Sequence, residues 1–174
     1  MTHLLEKLQQ QLDQQGLSTV FSEADAETPF PKLSQAISLP DLNWELKIDL
    51  MMVADLSLGQ AEEQPEEAND LEFLQFFVPL PFTVAEVQAA EMARLVGLVN
   101  NFAPLMGFAY NESGGLVYFR HLLIVLDSQI DPEIVEVSLD TIQYLIDTFG
   151  AALQDLASGA RSLEKIIADD ILWK

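Results

Sequence analysis

The stretch that most constrains the fold is residues 107–159, where a hairpin runs into a long amphipathic helix. A short strand at 108–110 is followed by a turn that contains Gly114 and Gly115, and then by an apolar strand at 116–126. Two adjacent glycines supply the positive φ angles of a tight hairpin, so these strands are predicted to pair antiparallel. The second strand is apolar on both of its faces, a pattern typical of a strand that is covered on both sides.

The helix after this hairpin has a clear start and a clear end in the sequence. Asp131 is a predicted N-cap and Pro132 occupies the first helical position, where the missing N–H costs nothing. Apolar residues then recur at helical spacing until Gly159, which predicts a helix over 131–158. A last amphipathic helix is predicted over 162–173, with Trp173 as a terminal anchor.

The central part of the chain reads as strands. Apolar and polar residues alternate strictly from 42, which predicts a strand over 42–56 with one face on the core and one face wet. Residues 71–78 are apolar on both faces, so this strand is predicted to be central. Pro79 and Pro81 are expected to stop it, because proline donates no ladder hydrogen bond.

Two further helices complete the pattern. Leucines at helical spacing predict a helix in 1–16, which Gly16 ends as a left-handed residue. Thr83 and Glu86 have the spacing of a capping box, which predicts a helix over 83–103 that starts at Thr83. The apolar stripe of this helix is wider than one sheet face requires, so it is the candidate helix for self-association.

Strands that follow one another between helices favour an α+β fold with an antiparallel sheet and flanking helices, in the order helix, three to four strands, helix, β-hairpin, helix, plus an extra C-terminal helix. At 174 residues a single domain is expected. Its predicted parts are the N-terminal helix 1–16, strands in 17–78 with an acidic connector at 59–70, a helix at 83–103, a hairpin at 107–126, a helix at 131–158 and a C-terminal helix at 162–173.

The charge of the chain excludes two classes of partner. The net charge is −20, from eight Lys and Arg against 28 Asp and Glu. Nucleic-acid binding requires clustered cations, and an anionic membrane surface repels an acidic protein, so neither partner is expected. The charge is compatible with solubility alone, and it also permits a cationic partner.

The hydropathy and the lack of cysteine limit the chain further. A hydrophobic fraction of 49% is high for a water-soluble domain, which predicts that apolar surface is buried between chains. No run reaches the roughly 18 apolar residues of a membrane span. The absence of cysteine excludes disulfides and thiolate metal sites, and the N-terminus lacks the pattern of a secretion signal, so a cytoplasmic location is expected.

No constellation of catalytic residues is found, and no catalytic, cofactor-binding or metal-binding residue is predicted. His121 is read as an edge or interface histidine rather than as a general base, because a base needs placed partners. The connector 59–70 lacks the alternating ligands of a calcium loop and is interpreted as a solvated loop, with a divalent-cation loop as the alternative. Asp169 and Asp170 are read as solvated helix carboxylates, with cation binding as the alternative.

Three segments in residues 93–159 resemble a known family: LVNNFAPLMGFAY at 98–110, LVYFRHLLI at 116–124 and IDPE at 130–133. Together with the order of elements, they are similar to the type III secretion chaperones and the related YbjN-like family. The resemblance implies a small acidic homodimer without enzymatic activity, whose apolar patches hold an extended segment of a partner protein. The connector 59–70 and the helix from 162 depart from that pattern.

The favoured hypothesis is a non-enzymatic, chaperone-like protein-binding module, homodimeric, that engages a partner through apolar sheet or helix surface. The predicted interface residues are Met51, Val53, Phe76, Met92, Val96, Phe119 and His121. One alternative is a small-ligand or metal-dependent enzyme that uses the acidic residues. A third is an acidic decoy that occupies a basic nucleic-acid-binding site.

Overall fold

The computed structural model describes residues 2–25, 29–53, 72–104 and 107–169. The helices in these ranges are α1 (Thr2–Gln14), α2 (Ala89–Asn100), α3 (Pro132–Ala157) and α4 (Leu163–Ala168). The strands are β1 (Val20–Ser22), β2 (Lys32–Leu39), β3 (Trp44–Val53), β4 (Glu72–Thr83), β5 (Gly107–Asn111) and β6 (Leu116–Val125). The predicted connector 59–70 and the end of the predicted helix 162–173 lie outside the described residues.

The strands form one open antiparallel sheet in the order β1-β2-β3-β4-β6-β5. This confirms the predicted α+β class and antiparallel sheet. It also confirms the central position of β4, which pairs with β3 on one side and with β6 on the other. The sheet therefore has two end strands, β1 and β5, and two faces.

The helices lie over one face of the sheet. Along β3 every second residue from Trp44 to Met52 is buried, while the residues between them are exposed or partly exposed. The buried set belongs to one hydrophobic cluster that also contains side chains of all four helices, such as Leu8, Leu95, Leu139 and Ile166. Alternation in a strand places successive side chains on opposite faces, so the core sits between the helices and one face of the sheet.

The strand β4 runs through Pro79 and Pro81 to Thr83, so the prediction that these prolines stop it is wrong. The pairing of β4 with β3 ends at Asp49↔Phe77, and from Pro79 onward the strand pairs with β6 only. The missing proline N–H groups therefore fall on a locally unpaired side, where a sheet tolerates proline. A register shift between Pro79 and Thr83 accommodates the change.

The capping box at Thr83 does not form. Thr83 pairs with Leu116 as the last residue of β4, a short 3-10 turn covers Glu86–Gln88, and α2 begins at Ala89 without a side-chain cap. The helix predicted over 83–103 is therefore 12 residues long. Thr83 pairs with β6 instead of starting a helix. This pairing is a tertiary contact, so the local sequence pattern cannot predict it.

The predicted ends of α3 are confirmed. The Glu133 amide donates to Asp131 Oδ1 at 3.0 Å, Pro132 opens the helix, and Gly159 follows its end at φ +73°. Gly16 likewise has the predicted left-handed conformation, at φ +87°. These local signals predict the structure well because the residues that satisfy each helix end are neighbours in sequence.

Candidate functional site

Five of the seven predicted interface residues lie inside the subunit. Phe76, Met92 and Phe119 are 0% exposed, and the other two, Val96 and His121, are 8% and 6% exposed. All but His121 belong to the core cluster, and His121 lies on the same face of β6 as Phe119. A side chain enclosed by its own chain offers no surface to a partner, so the structure removes these five from the candidate surface.

Met51 and Val53 point away from the helices, to the opposite face of the sheet. Both are partly exposed, and they alternate with the buried Leu50 and Met52. Met51 and Val53 therefore remain candidates for the predicted interface. The pairing of β3 with β4 and of β4 with β6 determines which side chains lie beside Met51 and Val53 on this face.

We call this side of the sheet, opposite the helices, the open sheet face. The pairing brings seven large apolar side chains together there, with the polar Gln75 and Arg120 among them: Met51, Val53, Phe73, Phe77, Tyr118, Leu122 and Ile124. Val53 lies beside Phe73, which lies beside Ile124 on the next strand. The rings of Phe77 and Tyr118 are 5.1 Å apart. None of the seven belongs to the core cluster or to the partly buried apolar residues that pack against it.

The open sheet face therefore carries an apolar patch that the described helices do not cover. Ile124 is 61% exposed, and the other six side chains are partly exposed. Contiguous apolar surface on a soluble protein typically marks a site of interaction with another molecule. The patch occupies the half of the face formed by the end of β3, by β4 and by β6.

The other half of the same face is polar and internally paired. Lys32 Nζ donates to Asp49 Oδ2 at 2.8 Å, and Ser34 Oγ donates to Asp49 Oδ1 at 2.6 Å. Ser38 Oγ donates to Glu45 Oε1 at 2.7 Å along the same edge. The polar half and the apolar patch are thus distinct regions of the open sheet face.

The end strand β5 is closed to further strand pairing at one point. The Asn100 side chain donates from Nδ2 to the Phe108 carbonyl and accepts the Phe108 amide at Oδ1, both at 2.8 Å. A single side-chain amide thus makes both bonds that a neighbouring strand would make. Native proteins cover exposed strand edges in this way to prevent uncontrolled association. Strand addition at Phe108 is therefore blocked, whereas the described helices leave the open sheet face uncovered.

His121 is a buried neutral group rather than a surface group. Its ring packs against Phe76 at a centroid distance of 5.5 Å, and neither ring nitrogen has a hydrogen-bond partner among the described residues. Burial disfavours the charged form and lowers the pKa of His121 below its ordinary value of about 6.5. Among the described residues, no carboxylate or hydroxyl is hydrogen-bonded to His121 in the way that a general base is usually held.

We expect His121 to make the stability of the fold depend on pH. Above about pH 7 the imidazole is neutral in both the folded and the unfolded chain. As the pH falls below about 6.5, the unfolded chain binds a proton that the folded chain does not, so the free energy of unfolding decreases until the lowered folded pKa is reached. Urea unfolding at several pH values measures this loss, and His121→Leu is expected to reduce it.

The control for this prediction is His3→Gln, because the His3 side chain is 97% exposed. Titration of the many carboxylates acts on all three proteins alike, so only the difference between variants is compared. Parallel pH profiles for His121→Leu and the unaltered protein would show that the buried imidazole is not the cause.

Two surface grooves flank α3. One, of about 600 Å³, lies between α1, the end of β6 and the start of α3, with Lys7 and Gln11 on its rim. The other, of about 460 Å³, is lined by Pro40, Tyr144 and neighbouring carboxylates. No group of three His, Cys, Asp or Glu side chains in the described ranges is arranged to hold a metal ion. No described helix is both long enough and apolar enough to cross a membrane.

The sequence pattern contained a signal for the open sheet face. In the sequence, residues 71–78 are apolar on both faces, with Phe73 and Phe77 on one and Phe76 on the other, and residues 116–126 have the same property. Periodicity separates the two faces but does not say which one the helices cover. The predicted interface residues therefore include Phe76 and Phe119, which lie on the covered face, and none of Phe73, Phe77, Tyr118, Leu122 and Ile124 on the open sheet face.

Comparison of the chain with protein-family models and with curated proteins found no match.

Proposed function

We propose that this chain is a non-enzymatic, chaperone-like protein-binding module that holds an apolar segment of a partner protein on the open sheet face. The observation that supports the proposal is the patch of seven apolar side chains outside the core, on the sheet face opposite the helices. Apolar surface drives association without requiring a reactive group. The polar half of the same face limits where the segment lies.

The resemblance to type III secretion chaperones and YbjN-like proteins belongs to this proposal. A helix, a run of antiparallel strands, a second helix, a hairpin and a long helix occur in that order in the chain. We extend the likeness to a cytoplasmic, acidic homodimer that binds a client. Light scattering at micromolar concentration tests the dimer separately, and a strict monomer would remove the dimer from the proposal but leave client binding intact.

The test of client binding is suppression of aggregation of insulin after reduction of its disulfides. The chain has no cysteine, so the reductant leaves it chemically unchanged. We expect the unaltered protein to delay the rise in light scattering. The double variant Phe73→Ser with Ile124→Ser, which places hydroxyls in the patch, is expected to lose most of this effect.

The matched control carries the same kind of change outside the patch. Val87→Ser with Val137→Ser alters two exposed apolar residues on the helix side of the molecule, 85% and 64% exposed, against 61% for Ile124. This double variant is expected to protect as well as the unaltered protein. Equal loss in both double variants, or no protection by the unaltered protein, would contradict the proposed function.

A further inference from the structure

We propose that the partner segment bound on the open sheet face is acidic as well as apolar, and that Arg120 binds its carboxylate. This inference rests on the proposed function and names the chemistry of the partner. It concerns a residue in the middle of β6 whose side chain points to the open sheet face, between Tyr118 and Leu122.

Arg120 has no anionic partner among the residues that the structure describes. Its Nε is buried without a hydrogen-bond partner, and none of the ion pairs between described residues includes it. Its neighbours across the strands are Phe77 and Gly107, neither of which has a charge or a polar side chain. A buried donor without a partner is costly, and this favours a guanidinium that is completed by an added anionic group.

The charge of the open sheet face differs from the charge of the rest of the molecule. Its described strand residues include the basic side chains Lys32, Lys47 and Arg120 and the acidic side chains Glu45 and Asp49. Asp49 is already bonded to Lys32. The described strands of a chain with net charge −20 thus present three basic and two acidic side chains on this one face. Electrostatic complementarity therefore favours an acidic ligand here, although the molecule as a whole repels one.

The order of groups along β6 specifies the ligand more closely. Ile124, Leu122 and Arg120 follow one another on the open sheet face at alternate positions. Alternate residues of a strand are about 7 Å apart, and a segment that packs on a sheet face lies about 10 Å above it. An extended segment aligned with β6 matches this order with two apolar side chains and then a carboxylate, at alternate positions.

The test uses two synthetic peptides that differ in one group. The first is acetyl-Ser-Leu-Ser-Leu-Ser-Glu-Ser-amide, and the second has Gln in place of Glu. Binding is measured by NMR titration of the isotope-labelled protein at low salt, followed at the amides of β4 and β6. Because a hydrogen bond between two charged groups replaces one to a neutral amide, we expect the Glu peptide to bind about tenfold more tightly.

Arg120→Gln is expected to abolish this tenfold preference, while Arg120→Lys keeps part of it through the charge alone. Arg94→Gln is the matched control, since Arg94 is an exposed residue of α2, on the helix side of the molecule, and the preference should persist in that variant. A double-mutant cycle over Arg120 and the Glu of the peptide isolates their interaction. Thermal unfolding confirms that each variant is folded.

The outcomes separate this inference from the proposed function. Equal binding of both peptides to the unaltered protein, or a preference that survives Arg120→Gln, overturns the role of Arg120. If both peptides bind equally and Phe73→Ser weakens the binding of both, the apolar binding site is supported. In that case only the proposed contact between Arg120 and a carboxylate is contradicted. If neither peptide binds at millimolar concentration, this ligand is excluded, and the insulin assay decides the proposed function on its own.

Discussion

Replacing Phe119 by alanine is expected to lower the free energy of unfolding by about 3–5 kcal/mol. The Phe119 side chain is 0% exposed, packs edge-to-face on Phe108 with ring centroids 5.1 Å apart, and lies opposite Val78 on the neighbouring strand. Truncation removes a large apolar group and leaves a cavity between the sheet and the helices. For a chain of this length the loss corresponds to a fall in Tm of roughly 10 °C.

The matched control is Phe77→Ala. Phe77 lies on β4, next to β6, but on the open sheet face, where solvent already reaches part of the ring. Its loss removes the contact with Tyr118 and little else, so we expect about 1 kcal/mol. Urea unfolding of both variants measures the difference. Similar losses for the two variants would mean that the open sheet face is as enclosed as the core.

Phe119 and Phe77 also show which property of the sheet the sequence does not predict, namely which of its two faces is buried. The two strands β4 and β6 are apolar on both faces, and the pattern predicts correctly that β4 is central. Which face the helices cover depends on how α1, α2 and α3 pack on the sheet, and this information is not local to either strand. Phe119 was therefore expected at an interface, although it lies in the core.

Local signals succeeded where the residues that satisfy a backbone group are close in sequence. The Asp131 cap and the left-handed Gly16 are of this kind. Local sequence signals give a wrong prediction where a distant strand competes for the same residue. Thr83, for example, pairs with Leu116 instead of starting a helix. The open sheet face follows the same rule, because Val53, Phe73 and Ile124 come from three separate strands and only the register brings them together.

Gly115→Ala is expected to destabilise the fold by about 2–3 kcal/mol, although it adds one methyl group at the surface of a turn. Gly115 has φ +61°, where a side chain costs about 1–2 kcal/mol. An added Cβ would also lie 2.8 Å from the Val84 carbonyl oxygen, which is backbone and cannot rotate away. The Val84 amide donates to the Gly115 carbonyl at 2.8 Å, so moving apart breaks the bond that ties the end of β4 to the hairpin.

The matched control for Gly115→Ala is the same substitution at the neighbouring Gly114. The sequence predicts a positive φ angle at both glycines, but of the two only Gly115 has one. A Cβ added at Gly114 would meet no atom closer than 3.9 Å. Gly114→Ala should therefore leave stability unchanged or raise it by up to about 1 kcal/mol. Gly115→Asn then separates the two causes, because asparagine tolerates left-handed backbone but still carries a Cβ. If the contact with Val84 dominates, Gly115→Asn destabilises as much as Gly115→Ala; if backbone strain dominates, it recovers most of the loss.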